Sequence, residues 1–331
     1  MTAARRLLVI HPGALGDVLQ AVPALRALRG DASGRHLSLA AQPRLARLLA
    51  GAGVVDEALS FDALGLSALF ADEPLPPALT ERLGGFDAIV SWFGARAPSY
   101  GERLTALAPR VVLAPSAPPE DDATAPPVWR HLLATVASLG APDPPAAGAT
   151  GPLTAPLAIP EEWRARGRAA LAAAGLVDER PLLVAHAGAG GRWKRWPAER
   201  FAEVIARAAD GAVLLHEGPA DREAVDALER GLDALGAAAG RARLIAPELE
   251  PLAAVLAGAR AYLGGDSGIS HLAAAAGAAA IILYPTATLA RWAPWGPRAR
   301  ALPASDDAAG VDRAVEALAD LFSSRASVDD K

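Results

Sequence analysis

The 331-residue chain contains no cysteine, so disulfides, thiolate metal sites and a cysteine nucleophile are excluded. Redox chemistry therefore gives no reading of its compartment. Lysine is nearly absent as well. Only Lys194 and Lys331 occur, and arginine supplies almost all the positive charge. Nor is there a basic excess. The formal net charge is −5 and the two signs are interspersed, which argues against the basic footprint that general nucleic-acid binding needs. No stretch approaches the roughly 20 apolar residues of a membrane span. The run Leu7-Leu8-Val9-Ile10 behind Arg5-Arg6 is too short for a signal peptide and stops at His11-Pro12-Gly13. A cytoplasmic, water-soluble protein is the expectation.

What is present describes a globular chain with ample core: 52% hydrophobic residues against 21% charged. The length suits two domains of moderate size. Short apolar runs alternate with segments of helical period, the pattern of a parallel α/β sheet. In the first half, strands are expected at residues 7–10, 36–40, 88–92 and 111–113, with helices at 17–29, 44–50 and 128–139. Residues 140–156 form the longest Pro/Gly/Ala-rich stretch and mark the boundary between domains 1–155 and 156–331. The pattern then restarts. Strands are expected at 182–185, 212–216, 242–245, 261–263 and 280–284, with helices at 161–174, 198–209, 220–235 and 269–276. A last helix at 312–322, a candidate to pack back on the first domain, precedes a polar tail expected to fray. The fold class is α/β, two Rossmann-like domains facing across a cleft, with ligands at the carboxyl ends of the strands.

Three segments carry chemistry. In Gly264-Gly265-Asp266-Ser267-Gly268-Ile269-Ser270-His271 a strand ends in glycines and an alanine-rich helix begins. Glycine lets a ligand approach the backbone, and the free N–H groups of a helix start favour a diphosphate. The plain alternative is a capped helix with Asp266 or Ser267 as N-cap. In His186-Ala187-Gly188-Ala189-Gly190-Gly191-Arg192-Trp193-Lys194-Arg195-Trp196-Pro197 two tryptophans bracket the only internal lysine. Where arginine is the default cation, a lysine there suggests that a compact point charge is wanted, for instance against phosphate. The alternative is a surface cation beside packing tryptophans. In His11-Pro12-Gly13-Ala14-Leu15-Gly16-Asp17, Gly13 and Gly16 let a loop pass close to a substrate and Asp17 opens a helix. Asp17 is either a general base for a hydroxyl or a carboxylate complementing the helix dipole. Two lesser features follow. His216-Glu217-Gly218-Pro219 puts Glu217 in reach of a nucleoside, or is an ordinary strand-to-helix turn. Arg291-Trp292-Ala293-Pro294-Trp295-Gly296-Pro297 is an aromatic loop that lines a site or covers a core edge.

Taken in order, these segments resemble the ADP-heptose:lipopolysaccharide heptosyltransferase family, glycosyltransferase family 9. The resemblance rests on Gly13 to Asp17 with Ala21 to Arg29, on Lys194-Arg195-Trp196-Pro197, and on Asp266 to Ala275. Leu252 to Ala259 also looks like one of the family's helices. The resemblance implies a GT-B fold with an acceptor domain followed by a donor domain. It further implies inverting transfer of heptose from ADP-heptose, with no obligatory metal or other cofactor. On it, Asp17 matches the general base and Lys194 a contact to the donor phosphates. Asp266, Ser267, Gly268 and His271 match the donor-binding turn, with Gly188 and Glu217 further donor-side candidates. Gly13, Gly16, Arg96 and Arg130 are candidates on the side of a glycan or glycolipid acceptor, with Arg103 and Arg110 as further cations. Such an acceptor implies peripheral contact with the inner membrane. The chain departs from the family after its last expected strand, where Gly-Pro-Thr-Asp-Pro is replaced by Tyr284-Pro285-Thr286-Ala287-Thr288. Two rival readings are a nucleotide-sugar epimerase of the same fold, which needs no acceptor, and a nucleotide-sugar binder without turnover. A nicotinamide dehydrogenase is disfavoured, because no turn carries the required glycine spacing with an acidic residue about 20 positions on.

Overall fold

The structure, a computed structural model, describes residues 5–30, 34–120, 122, 124–146, 149–176, 180–237 and 240–323. Lys331 and the tail expected to fray lie outside them. The chain divides into two compact units, Met1–Leu157 and Ala158–Lys331.

The first unit holds a five-stranded sheet of β1 (Arg5–Ile10), β2 (Arg35–Ala41), β3 (Glu57–Ser60), β4 (Ala88–Ser91) and β5 (Val111–Leu113). Its order is β3-β2-β1-β4-β5 and every pair is parallel. Leu8 and Ile10, two apart on β1, point to one face and pack with Ala40, Ile89, Leu83, Phe86, Tyr100 and Leu104. The expected helix at 17–29 is two helices, Leu15–Gln20 and Val22–Arg29, with Ala21 between them. Pro23 has no N–H to donate and its ring crowds the carbonyl four residues back, so the ladder breaks there. The expected helix at 128–139 likewise stops at Thr135, and a 3₁₀ turn, Ala137–Leu139, follows. The Arg26 guanidinium donates to the carbonyls of Leu153, Ala155 and Pro156, which ties the proline-rich stretch to this unit. Burial pulls the Arg26 guanidinium down to about 10.

The second unit holds β6 (Leu182–His186), β7 (Ala212–Glu217), β8 (Arg241–Ile245), β9 (Ala261–Gly265), β10 (Ala280–Tyr284) and β11 (Ala299–Pro303). All neighbours are parallel, in the order β11-β10-β9-β6-β7-β8. On one face Leu183, Ala185, Val213, Leu215, Leu263, Ile281 and Leu283 meet helices Ala198–Ala208, Arg222–Ala234 and Ala308–Ser323. Phe201 is fully buried among them, contributing roughly 2–3 kcal/mol. The last helix contributes Val311, Ala314, Leu318 and Leu321 to this core. The residues in opposite phase, Val184, Leu214, Tyr262 and Ile282, are buried too, as a sheet covered on both faces requires.

β3 and β11 are absent from the strands that the sequence pattern predicts, and both are edge strands. Among the described residues no helix is long and apolar enough to cross a membrane.

In both sheets the first strand sits between its successors, so the loops after β1 and β4, and after β6 and β9, diverge at a switch point. Ligands of open α/β sheets bind at such places. The turn entering β7 is a backbone constraint on this frame. Gly211 has φ +150°, and a Cβ there would lie 2.0 Å from the Pro181 carbonyl oxygen. Gly211→Ala is expected to destabilise the second unit by about 2–4 kcal/mol, read as a lower denaturation midpoint at unchanged m-value.

Candidate functional site

In the second unit the switch point lies between β6 and β9, where His186 pairs in register with Gly264. The loop after β6 carries Lys194, and the turn after β9 carries Asp266. The Lys194 Nζ lies 3.1 Å from Asp266 Oδ2. The Asp266 side chain is only 4% exposed, so its charge needs this partner. The same oxygen accepts a hydrogen bond from Thr288 Oγ1 at 2.9 Å. Two indole rings lie near the ammonium, with centroids at 5.4 Å for Trp193 and 5.9 Å for Trp292. Sequence reasoning offers Lys194 and Asp266 only as separate candidates. It misses Thr288 altogether, because that stretch registers only as a departure from the family pattern.

Ser267 caps helix Gly268–Ala275, accepting from the Ser270 backbone N–H at 3.2 Å. The plain reading of Ser267 therefore holds. The cap takes the Ser270 N–H and leaves those of Gly268 and Ile269 for an incoming anion, since the first amides of a helix have no intrahelical partner. Ser270 Oγ in turn donates to the Gly265 carbonyl and meets the Tyr262 hydroxyl at 2.8 Å, which fixes the turn from below. His271 is buried, its ring 6.4 Å from those of Tyr284 and Trp292. The Tyr284 hydroxyl is buried without a hydrogen-bond partner among the described residues. Burial and the nearby Asp266 charge push it well above its ordinary range.

Behind the Lys194 loop lies a group that sequence reasoning does not assemble. His186 and His216 meet with Nδ1 atoms 3.1 Å apart, and His186 Nδ1 is 3.3 Å from the His216 carbonyl. One ring must donate and the other accept, so the pair shares a single Nδ1 proton. His186 Nε2 lies 3.9 Å from Asp221 Oδ2. A Cβ on Gly188 would fall 2.3 Å from the Asp221 carboxyl carbon, and one on Gly218 would fall 2.5 Å from Asp221 Oδ2. Gly188 is thus glycine to make room for Asp221, whatever else passes over it. Glu217 is buried, and its carboxylate is engaged by Arg243, which also reaches Asp226 at 2.7 Å and Glu229 at 3.1 Å. The structure assigns it a place in this ion network beside the loop.

In the first unit the switch point lies between β1 and β4. His11 follows β1 and is buried, its Nε2 3.2 Å from the Asp17 carbonyl and its ring edge-on to Trp92 at 5.5 Å. Burial, only partly offset by the Asp17 charge, lowers His11 to about 4. Asp17 Oδ2 accepts from the Ala14 N–H at 2.8 Å, which starts the helix, and the side chain is half-buried. A Cβ on Gly13 would lie 2.7 Å from Asp17 Cβ and 2.8 Å from His11 Cε1. Glycine there lets the loop fold onto both side chains. Gly16 is half-buried inside the same short helix. The candidate arginines separate. Arg130 donates to the Pro145 carbonyl and stacks on Trp129 at 4.6 Å. Arg103 and Arg110 likewise hold the carbonyls of Glu73 and Ser138. These three anchor loops of their own unit. Arg96, after β4, is exposed. Among the described residues no cluster of three or more His, Asp or Glu side chains forms a metal-binding group.

Residues 89–316 match the sequence profile of glycosyltransferase family 9 (heptosyltransferase). The chain belongs to that family and is a glycosyltransferase. Three solved structures share its GT-B fold. A family 9 glycosyl transferase from Veillonella parvula is 19% identical, with TM-score 0.71 over 95% of this chain and 90% of that one. The E. coli ADP-heptose LPS heptosyltransferase II is 22% identical, with TM-score 0.70 over 96% and 98%. The E. coli heptosyltransferase WaaC with ADP is 18% identical, with TM-score 0.61 over 95% and 99%. No curated protein sequence matches the chain significantly.

Burial lowers both His186 and His216, the latter to about 3, with the His186 charge a further cause at His216. A histidine held neutral in the fold but free to protonate when unfolded stabilises fully above its unfolded value, near 6.5. That stability is lost as pH falls toward the folded value. Stability is therefore expected to decline below about pH 6.5, by up to about 1.4 kcal/mol per pH unit for each such histidine. Denaturant titrations from pH 7 to pH 4 on wild type and His216→Asn should show a shallower decline in the variant; equal slopes would refute the assignment.

Proposed function

We propose that the enzyme transfers heptose from ADP-heptose to a hydroxyl of a lipopolysaccharide-core or related glycan acceptor, by one inverting displacement and with no obligatory metal. The observation that carries this reading is the Lys194–Asp266 pair at 3.1 Å, set at the start of helix Gly268–Ala275. An ammonium has three donors. One is turned to Asp266, so the others are available to phosphate oxygens, beside the positive end of the helix dipole. Family membership and the ADP of the WaaC structure support the choice of nucleotide.

In the proposed step the acceptor oxygen attacks the anomeric carbon. The bond from that carbon to the diphosphate oxygen breaks, and its electron pair leaves on the diphosphate. Lys194 and the helix N–H groups stabilise the charge that develops there. The acceptor proton passes to Asp17, whose Oδ2 is held by the Ala14 N–H, which leaves Oδ1 to take the proton. A diphosphate leaves as a stabilised anion, so no separate general acid is required.

Asp17→Asn tests the base, because an amide oxygen still accepts the Ala14 bond but takes no proton. Transfer is expected to fall at least about 100-fold with ADP-heptose affinity within about twofold of wild type. Full transfer by the variant would remove Asp17 from the role. Thermal-shift titration with ADP-, UDP-, GDP- and dTDP-sugars tests the donor: stabilisation by a non-ADP compound alone would overturn ADP-heptose. Product formed without any acceptor would instead indicate the epimerase.

A further inference from the structure

We infer that Trp193, with Trp292 near the same ammonium, is the stacking surface for the transferred sugar of the donor, an inference that rests on the nucleotide-sugar reading above. Trp193 is 67% exposed, the most open of the large hydrophobic side chains among the described residues. A lone exposed apolar residue needs no explanation. This one is different because of where it stands. Its ring centroid lies 5.4 Å from the Lys194 ammonium, and that of Trp292 lies 5.9 Å from the same atom. The ion pair with Asp266 therefore holds two indoles around the place where a diphosphate would sit.

The sheet order gives this place a direction. The diphosphate position lies at β6 and β9. To one side come β7 and β8, ending in Glu217 and the 63% exposed Ile245. To the other side comes β10, followed by Thr288 and Trp292 on helix Thr286–Trp292. Lys194 reaches toward that second side, onto Asp266, where its ammonium meets the indoles of both Trp193 and Trp292. A nucleoside on the β7–β8 side leaves the β10 side for the sugar.

The chemistry of that side fits a pyranose. Tyr284-Pro285-Thr286-Ala287-Thr288 supplies no carboxylate, so charged hydrogen bonding to sugar hydroxyls is not the means of recognition in this stretch. What the side offers is indole faces, which attract the weakly positive C–H groups on the flat face of a sugar ring. A Cβ on Gly191 would sit 3.2 Å from Trp193 Nε1, so glycine there lets the indole lie close against its own loop.

The test compares calorimetric affinities for ADP and for ADP-heptose in wild type, Trp193→Ala and Trp193→Phe. The expected result for Trp193→Ala is ADP affinity within about twofold of wild type and ADP-heptose affinity about three- to tenfold weaker, with Trp193→Phe recovering most of the loss. Unchanged ADP affinity in the alanine variant also shows that the loop has folded. Equal weakening toward both ligands, no weakening toward either, or an effect confined to acceptor KM would overturn the sugar-stacking role. A wild type that binds neither ligand would overturn the donor reading itself, a separate failure.

Discussion

The contact between Lys194 and Asp266 is the constraint on which the second unit's site depends. Asp266 is almost fully buried, and a buried carboxylate without a cation costs several kcal/mol. The β6 loop must therefore close onto the β9 turn for that turn to be stable. The closure places the indole of Trp193 and orients the loop's glycines. It also explains why a lysine stands in a chain otherwise built with arginine. A guanidinium presents a broad planar fork, whereas an ammonium is a compact charge that can meet Asp266 and two indole rings and still have donors to spare. On the proposed donor reading, structural and functional demands meet on one atom, and substitutions of Lys194 are expected to change stability and donor affinity together.

Support for that loop comes from packing that leaves no slack. Asp221 sits where side chains on Gly188 and Gly218 would have to be, and its carboxylate faces His186. His186 in turn leans on His216, and burial keeps that pair short of a proton. Close packing of this kind transmits displacement. A methyl group at Gly188 would move Asp221, and through it the histidine pair at the ends of β6 and β7.

Much of this is legible in the sequence, and the remainder is hidden for identifiable reasons. The central strands stand out because β6, β7, β9 and β10 are short apolar runs between glycine and proline signals, as strands covered on both faces must be. The edge strands β3 and β11 do not. Glu57-Ala58-Leu59-Ser60 and Ala299-Arg300-Ala301-Leu302-Pro303 are short and half-exposed, so neither alternation nor a continuous apolar run marks them. Lys194 is visible through its rarity, and Asp266 through its place at a strand end. Their pairing is not visible, because it depends on β6 and β9 being neighbours. The same holds for His186 and His216, which close only when β6 and β7 lie in register. Thr288 escapes because it replaces a motif rather than completing one. Arg130, Arg103 and Arg110 look like free cations only because the carbonyls they hold are far away in sequence.

The rival readings left open for each motif turn out not to exclude one another. Ser267 is a helix cap, yet capping engages only the Ser270 N–H and leaves those of Gly268 and Ile269. Asp17 is the acidic residue of a helix start, yet the Ala14 bond uses only Oδ2. Lys194 is a structural counter-ion, yet one contact does not exhaust an ammonium. In each case the interaction that stabilises the local fold engages part of a group and fixes the geometry of what remains. Preorganisation of this sort costs nothing at the moment of reaction, since the orienting bond is already made in the folded chain. A glycosyltransferase built on such loops needs few residues devoted to catalysis alone, which is consistent with how ordinary each motif looks by itself.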